Sequence, residues 1–364
     1  MAYSNVGTPV FYIDNYMYNK AIGTTLTTPT NPLDQYGYIT PESYPDFFTL
    51  NPSIAKSFSD EVTDASNSII WGITMPPSVL DYDFLGNMKW YWSILNHATP
   101  MILVNFLDEF EDTNTESYAE VTANTEEVLN HSLNGAHMYY GSTILTYSGT
   151  TLPSQHTQLL FGGGSVGAIS TGVQYTMPHS PDLELNMEIE FDGVKNITTS
   201  GGSDLANIRY TGNPLWVNGT NKTNPFDVYN WDSSLDVTQT GARRNGRKSW
   251  SLKFSYVSDT NLFSSNIRGS YYSEHGTDMT LSDHYDSGDI DTTNNVMMDT
   301  IETDDSFYAQ VWNKTLGGAL PFIFQPDSNF GDEFYICKFD QKSLKIEQSA
   351  YKVYDISLKI VEVW

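Results

Sequence analysis

A chain of 364 residues is long enough for about two domains and for a sizeable buried core. Hydrophobic residues make up 39% of it and aromatic residues 14%, which excludes a disordered chain and favours strands. The net charge of −26 excludes a general nucleic-acid binder and disfavours contact with an anionic membrane surface.

The amino terminus and the cysteine content bear on whether the protein is secreted, membrane-bound or stabilised by disulfides. Residues 1–18 lack the basic start and the apolar run of a secretory signal, and no stretch reaches the ~18 consecutive apolar residues of a membrane span. We therefore expect a soluble protein. The single cysteine, Cys337, cannot form a disulfide within the chain and is predicted to be a small buried side chain in a strand.

The first third of the chain contains two candidate helices and one candidate buried strand. Residues 85–96 and residues 117–133 are predicted to be helical, although the second segment is rich in Thr, Val and Asn. Between them, Met101–Phe106 is a continuous apolar run, which predicts a strand covered on both faces.

A glycine-rich segment, Phe161–Gly167, matches two catalytic patterns by letter. Gly163, Ser165 and Gly167 satisfy G-x-S-x-G, and the same segment satisfies G-x-G-x-x-G. Both patterns require a helix after the glycines. Residues 168–177 read as a strand instead, so we predict a turn and neither a nucleophile nor a dinucleotide site.

Alternating apolar residues predict three strands in the second half of the chain, at Leu183–Phe191, Trp250–Tyr256 and Tyr354–Ile360. The first is predicted to be half-buried with an acidic outer face. The best helix candidate is Asp304–Leu316, which begins with acidic residues and ends at a Gly-Gly pair. Residues 148–165 and 212–247 read as boundary loops, and residues 270–300 as a third loop.

Carboxylates and histidines offer no convincing chemistry. Four aspartates within residues 283–291 suit a calcium ion by type, but their order does not match an EF-hand loop, and a solvated acidic loop is the preferred interpretation. The acidic residues 108–112 do not by spacing form a glycosidase pair. The seven histidines show no metal-binding spacing. We predict no catalytic residue, metal or cofactor, and thus no enzyme.

Basic residues are unevenly distributed. No Lys or Arg lies between Lys89 and Lys195, whereas all five arginines lie between Arg209 and Arg268. This separation is compatible with docking of a basic patch on a neighbouring subunit and with an internal salt-bridge network. We predict a subunit interface that includes Arg243, Arg244, Arg247, Lys248, Trp250, Trp312 and Trp364.

Several stretches resemble tail proteins of tailed bacteriophages, of the distal-tail or baseplate-hub class. They are Gly7–Asp14, Gly246–Leu262 and three stretches near the end of the chain, Thr315–Asp327, Phe334–Phe339 and Ile356–Trp364. Together these stretches make up about a seventh of the sequence, and they contain no catalytic signature.

The resemblance implies a mainly β fold with minor α content. It implies a β-sandwich or split-barrel ring domain made of residues 1–130 and 246–364, with helix 304–316, and a second, inserted β-sandwich at residues 131–245. It also implies a hexameric ring in the phage tail, assembled in the host cytoplasm, with other tail or baseplate proteins as partners and DNA as passing cargo. The inserted domain implies a host glycan as a further partner, so the alternative function is a carbohydrate-binding adhesin or receptor-binding tail protein.

Overall fold

The computed structural model describes residues 6–23, 37–38, 45–51, 56–58, 70–75, 88–97, 101–107, 119–122, 128–129, 141–147, 156–162, 164–182, 186–190, 194–208, 247–263, 305–329 and 334–363. Strands dominate these residues, so the predicted mainly β class is confirmed. Among the helices of this part of the chain, none combines the length and the apolar character that a membrane crossing requires.

The described residues form twenty strands. The first ten are β1 (Val10–Asp14), β2 (Gly37–Tyr38), β3 (Lys56–Phe58), β4 (Ile70–Met75), β5 (Met88–His97), β6 (Met101–Leu107), β7 (Ala119–Thr122), β8 (Val128–Leu129), β9 (Gly141–Tyr147) and β10 (His156–Gly162). The others are β11 (Gly164–Val166), β12 (Ala168–Thr176), β13 (Asn186–Glu190), β14 (Val194–Thr198), β15 (Asp204–Ile208), β16 (Arg247–Ser258), β17 (Phe322–Gln325), β18 (Tyr335–Phe339), β19 (Lys345–Ala350) and β20 (Val353–Glu362).

Eleven of these strands join one antiparallel sheet in the order β13-β16-β20-β18-β17-β1-β12-β5-β9-β8, with β19 paired to β20 at its side. A smaller sheet has the order β2-β4-β10-β6-β7, and β11 pairs with β3. The hairpin β14–β15 pairs only with itself among the described strands. Strands from both ends of the sequence thus meet in the middle of the large sheet.

The middle of the large sheet, at β1 and β12, is covered on both faces. Along β1, Phe11 and Ile13 belong to the larger hydrophobic core, whereas Val10 and Tyr12 belong to a second core on the opposite face. The ring of Phe11 lies 5.2–6.0 Å from four other phenylalanine rings. Almost every residue of β1 and β12 is buried, because side chains on both faces of these strands pack against a hydrophobic core.

The helix predicted at residues 85–96 is wrong, because Met88–His97 forms the strand β5. The segment lies between β12 and β9, and Trp92 and Ile94 enter the larger core while Tyr91 and Leu95 enter the second. Because both faces are buried, the apolar residues run without the two-residue period that reveals an amphipathic strand. A continuous apolar run of this kind fits a buried strand as well as a helix, and here it is a strand.

The predicted helix at residues 117–133 is also wrong, because β7 and β8 lie within it. The Thr and Val residues of this segment are β-branched, which favours strands over helices. Two short helices were not predicted: α1 (Asn15–Ile22) and α2 (Asp259–Leu262). Helix α1 follows β1 directly, and the Asp14 side chain caps it by accepting from the backbone N–H of Met17 at 2.9 Å.

The predicted helix at residues 304–316 is confirmed in position, as a wide π-helical segment over Tyr308–Asn313. Its buried side includes Phe307, Val311 and Trp312, as predicted, but Leu316 is 40% exposed because the chain has already turned there. Leu316 and the two following glycines all have positive φ, so the predicted Gly-Gly ending is correct.

Strand β16 follows the predicted alternation up to a bulge. Trp250, Leu252 and Phe254 are at most 2% exposed, but Tyr256 is 76% exposed with φ of 65°, and Val257 takes the next buried position. The register with β20 shifts between Phe254 and Val257, which is the bulge. The alternation at Ile356, Leu358 and Ile360 is confirmed by burial of all three in the larger core.

The predicted domain boundaries at residues 131 and 245 do not coincide with boundaries between sheets. Strands β9, β12 and β13 of that interval belong to the large sheet, and β10 belongs to the smaller sheet with β4 and β6. The predicted boundary loop at residues 148–165 contains β10, so it is not a linker. The loops predicted at 212–247 and 270–300 lie almost wholly outside the described residues.

Candidate assembly edges

The strand β13 (the β13 edge, Asn186–Glu190) forms one end of the large sheet and is exposed on both faces. Among the described residues it pairs only with β16, and its apolar residues Met187 and Ile189 are each 49% exposed. The predicted strand is confirmed here, but its predicted burial is wrong because no described element covers these two side chains. Exposed apolar side chains on an edge strand favour contact with another chain.

The two faces of the β13 edge differ in chemistry. Met187 lies opposite Trp250, so the apolar side chains share the face of the larger core. Glu188 and Glu190 therefore lie on the other face, with Asn186. The acidic outer face predicted for this strand is thus present, and the apolar face is presented to solvent instead of being buried.

A second exposed strand, β19 (the β19 edge, Lys345–Ala350), pairs with β20 and, within the described chain, with nothing on its other side. Its Lys345 and Glu347 side chains are 73% and 64% exposed and form an ion pair of 2.6 Å. Ile346 lies opposite Ile356 and packs against the larger core, as does the preceding Leu344. This edge therefore also has an apolar core side and a charged outer side.

Two strands separate the two edges, in the order β19-β20-β16-β13, and every neighbouring pair is antiparallel. The β13 edge and the β19 edge thus lie on opposite sides of one local sheet and are displaced along the strands, because β13 pairs with residues 247–251 of β16 and β19 pairs with residues 353–357 of β20. On its outer face, the hydrogen bond and charge of Asp340, followed by the charge of Glu188, raise the pKa of Lys359. The outer face is therefore a mixed charged surface.

A polar cluster under β16 holds the strand to its neighbours. The backbone N–H of Lys248 donates to Oε2 of the buried Glu362 at 3.0 Å, and Lys248 Nζ donates to Tyr335 Oη at 2.7 Å. The Tyr335 ring packs on the Trp250 ring with centroids 4.9 Å apart. Beneath them Cys337 is fully buried in β18, as predicted, and burial raises the pKa of its thiol.

Removing the Tyr335 hydroxyl tests this cluster. We expect Tyr335→Phe to lower the free energy of unfolding by about 1 kcal/mol, because Lys248 Nζ loses its acceptor in a partly buried place. Tyr351→Phe, at a ring 85% exposed, is the matched control and should change it by less than about 0.5 kcal/mol. Equal effects in urea denaturation would contradict the assignment.

The residues predicted for a subunit interface differ in burial, and some of them lie outside the described residues. Trp250 and Trp312 are 2% and 9% exposed and belong to the larger core of the subunit itself, so neither ring is available to a neighbour in this structure. Lys248 makes the internal contacts given above, and Arg247 is partly buried beside it. The remaining predicted residues, Arg243, Arg244 and Trp364, lie outside the described residues.

A buried polar cluster lies where β1 meets α1. Asp14 is 3% exposed, and Tyr91 Oη and Ser170 Oγ, both fully buried nearby, are 2.6 Å apart. Burial raises the pKa of Asp14 to about 7, against smaller lowering effects of hydrogen bonds from the Met17 backbone and the Ser170 side chain. Since these groups are enclosed by the sheet, they belong to the interior and not to an open site.

The other candidate motifs are placed only in part. The glycine-rich segment contains the end of β10 and all of β11, and β12 follows it directly. The strand predicted after the glycines is therefore confirmed, and the helix that both catalytic patterns need does not follow them. The acidic residues 108–112 and 283–291 lie outside the described residues. Within the described part, no group of three or more His, Cys, Asp or Glu side chains is arranged to hold a metal ion.

Comparison of the chain with protein-family models, with curated proteins and with solved structures finds no match in any of the three. Function is therefore inferred from the residues and the fold alone.

Proposed function

We propose that this chain is a structural subunit of a phage tail, a distal-tail or baseplate component that assembles with copies of itself into a symmetric ring. The observation that carries the proposal is the pair of exposed edges, β13 and β19, on opposite sides of one sheet. A subunit with two different edges that no described strand pairs with can bind one copy on each side, and such head-to-tail contacts generate rings when the rotation closes.

The stretches that resemble phage tail proteins support the proposal by their positions. They include β1, β16, β17, β18 and β20, which follow one another in the large sheet in the order β16-β20-β18-β17-β1. Stretches far apart in sequence therefore form one continuous part of the fold. This is the behaviour expected of a shared structural unit rather than of scattered chance similarities.

Exposed apolar side chains add further support. In addition to the apolar residues of the β13 edge, Ile197 and Leu205 of the hairpin β14–β15 lie opposite each other, and their side chains are 58% and 59% exposed. An isolated two-stranded hairpin is only marginally stable in water, so a neighbouring surface would stabilise it. The proposed role is architectural, and the net charge of −26 keeps free subunits soluble until the specific contact forms.

The proposed partners follow from this role. They are copies of this chain in a hexameric ring, other tail or baseplate proteins above and below it, and DNA that passes without binding because the chain is acidic. A host glycan is a further proposed partner, since Tyr256 and Tyr351, 76% and 85% exposed, offer aromatic faces to sugars. The proposed location is the virion, with assembly in the host cytoplasm.

The test is the mass and shape of the purified full chain. We expect light scattering to show a concentration-dependent oligomer and negative-stain electron microscopy to show closed rings of cyclic symmetry. The double variant Met187→Ser, Ile189→Ser should assemble less well while its unfolding curve is unchanged, since both side chains are half exposed. A chain that remains monomeric up to its solubility limit would overturn the proposal.

A further inference from the structure

We propose that the ring contact is a strand pairing in which the β13 edge of one copy adds to the β19 edge of the next. This inference rests on the proposed function, because it requires that the chain bind copies of itself. The partner is a second copy of this chain, and the pairing is antiparallel with Met187 opposite Ile346.

Strand direction favours this partner. In the order β19-β20-β16-β13 each strand runs opposite to its neighbours, so β19 and β13 themselves run in opposite directions. A neighbouring copy related by a small rotation keeps the direction of its own β19. That strand therefore arrives antiparallel to β13, at the ~4.8 Å spacing of a continuing sheet.

The faces also agree. Met187 shares the core-side face with Trp250, and Ile346 shares it with Ile356. The same small rotation keeps this face on the same side in both copies. Apolar side chains of the two edges then meet on the core side, and charged side chains meet on the outer side.

Charge selects the register. If Ile346 were opposite Ile189, Glu347 would lie opposite Glu188, and like charges directly opposite destabilise a strand pair. With Ile346 opposite Met187, an ion pair forms on the outer face and apolar residues meet at two positions on the core side. This register pairs Met187 with Ile346, Glu188 with Lys345, Ile189 with Leu344 and Asn186 with Glu347.

Other occupants of the β13 edge fit less well. Two β13 strands paired about a two-fold axis at the middle of Asn186–Glu190 bring the two copies of Glu188 directly opposite each other, which is repulsive. The strand at the far end of the large sheet, β8, has two residues, too few to match the five of β13. The β19 edge has six residues and matches in length.

A disulfide between copies tests the register. We expect the double variant Met187→Cys, Ile346→Cys to form linked oligomers on oxidation, because opposite residues of an antiparallel pair lie within disulfide reach. The native Cys337 is fully buried and should not react. The matched control is Ile189→Cys, Gln348→Cys, on the same two edges but four residues out of register, which should not link.

Charge exchange supplies an independent readout. Glu188→Lys and Lys345→Glu should each raise the concentration needed for assembly by roughly tenfold, since an attractive pair becomes repulsive. The double exchange should restore most of the loss. Both residues are exposed, so the unfolding curves of the single variants should remain close to that of the wild type.

The outcomes separate this inference from the proposed function. Wild-type rings without a disulfide in the 187–346 variant, or without rescue by the double exchange, would overturn the strand pairing and leave the ring standing. Linkage of the double variant Met187→Cys, Ile189→Cys to copies of itself would identify a two-fold β13 contact and likewise overturn it. A wild-type chain that does not assemble would overturn both.

Discussion

Gly172→Ala is expected to lower the free energy of unfolding by about 3 kcal/mol, the upper range for an overpacked core. A Cβ atom at Gly172 would collide with the carbonyl oxygen of Ile13 and would lie 2.7 Å from the backbone nitrogen of Asn15. Both are backbone atoms at the junction of β1 and α1, in the middle of the large sheet, so neither can rotate away. The strands or the start of α1 must move instead.

Gly201→Ala is the matched control for this substitution. Gly201 lies in the turn of the β14–β15 hairpin, where an added Cβ would meet only the Thr199 hydroxyl oxygen, at 3.9 Å. It should change the free energy of unfolding by less than about 0.5 kcal/mol. Urea denaturation followed by tryptophan fluorescence measures both, and a Gly172→Ala midpoint equal to that of the wild type would show that the junction yields easily.

Strands with one apolar face were predictable from sequence. The alternation in β16 and β20 placed Trp250, Leu252 and Ile356 correctly in the core, because a period of two identifies the buried face of a strand directly. The same signal could not show the bulge at Tyr256, which depends on the register with β20. It also failed at β5, where burial on both faces removes the period.

The β1–α1 junction shows a different limit. Asp14 at the position before a helix is a recognisable cap, but α1 has eight residues of mixed polarity and no clear apolar stripe. Its position depends on contacts with distant residues, among them the packing of Tyr16 in the larger core and the close approach of Gly172 on β12, about 160 residues further along the chain. Contacts between such distant residues leave no pattern in a local stretch of sequence.

The assembly edges were predictable only in part. Alternation identifies β13 as a strand with an acidic face, yet whether its apolar face is covered depends on which distant parts of the chain pack over the sheet. The basic cluster at residues 241–250 led to the prediction that Lys248 and Trp250 lie in a subunit interface. In this structure Lys248 binds Tyr335 of its own subunit and Trp250 is buried. Neither β19 nor its place opposite β13 was anticipated, because sheet order is decided by long-range pairing.

Asp14→Asn is expected to remove a pH dependence of stability that the wild type shows between pH 5 and pH 8. Burial raises the pKa of Asp14 to about 7 in the folded protein, whereas its ordinary value is 3.8. Between these values the folded state binds a proton that the unfolded state has lost. A rise in pH therefore favours unfolding, and the stability contributed by this residue falls from about pH 4 to about pH 7 and then levels off.

The size of the effect follows from the same two values. Each pH unit in this range costs about 1.4 kcal/mol, so the wild type should lose roughly 2–3 kcal/mol relative to Asp14→Asn between pH 5 and pH 8. The neutral asparagine keeps an oxygen for the Met17 N–H, and it caps helices as well as aspartate does. The free energy of unfolding of both proteins, measured by urea at each pH, gives the difference directly.

A second variant separates the charge of Asp14 from its capping role. Asp14→Ala should also lose the pH dependence, but it should be about 1 kcal/mol less stable than Asp14→Asn at every pH, because the Met17 N–H then has no side-chain acceptor. Parallel curves for the wild type and Asp14→Asn from pH 5 to pH 8 would show that Asp14 is ionised throughout this range. The buried surroundings of Asp14, which include Tyr91 and Ser170, would then have to stabilise an ionised carboxylate even though burial disfavours the charge.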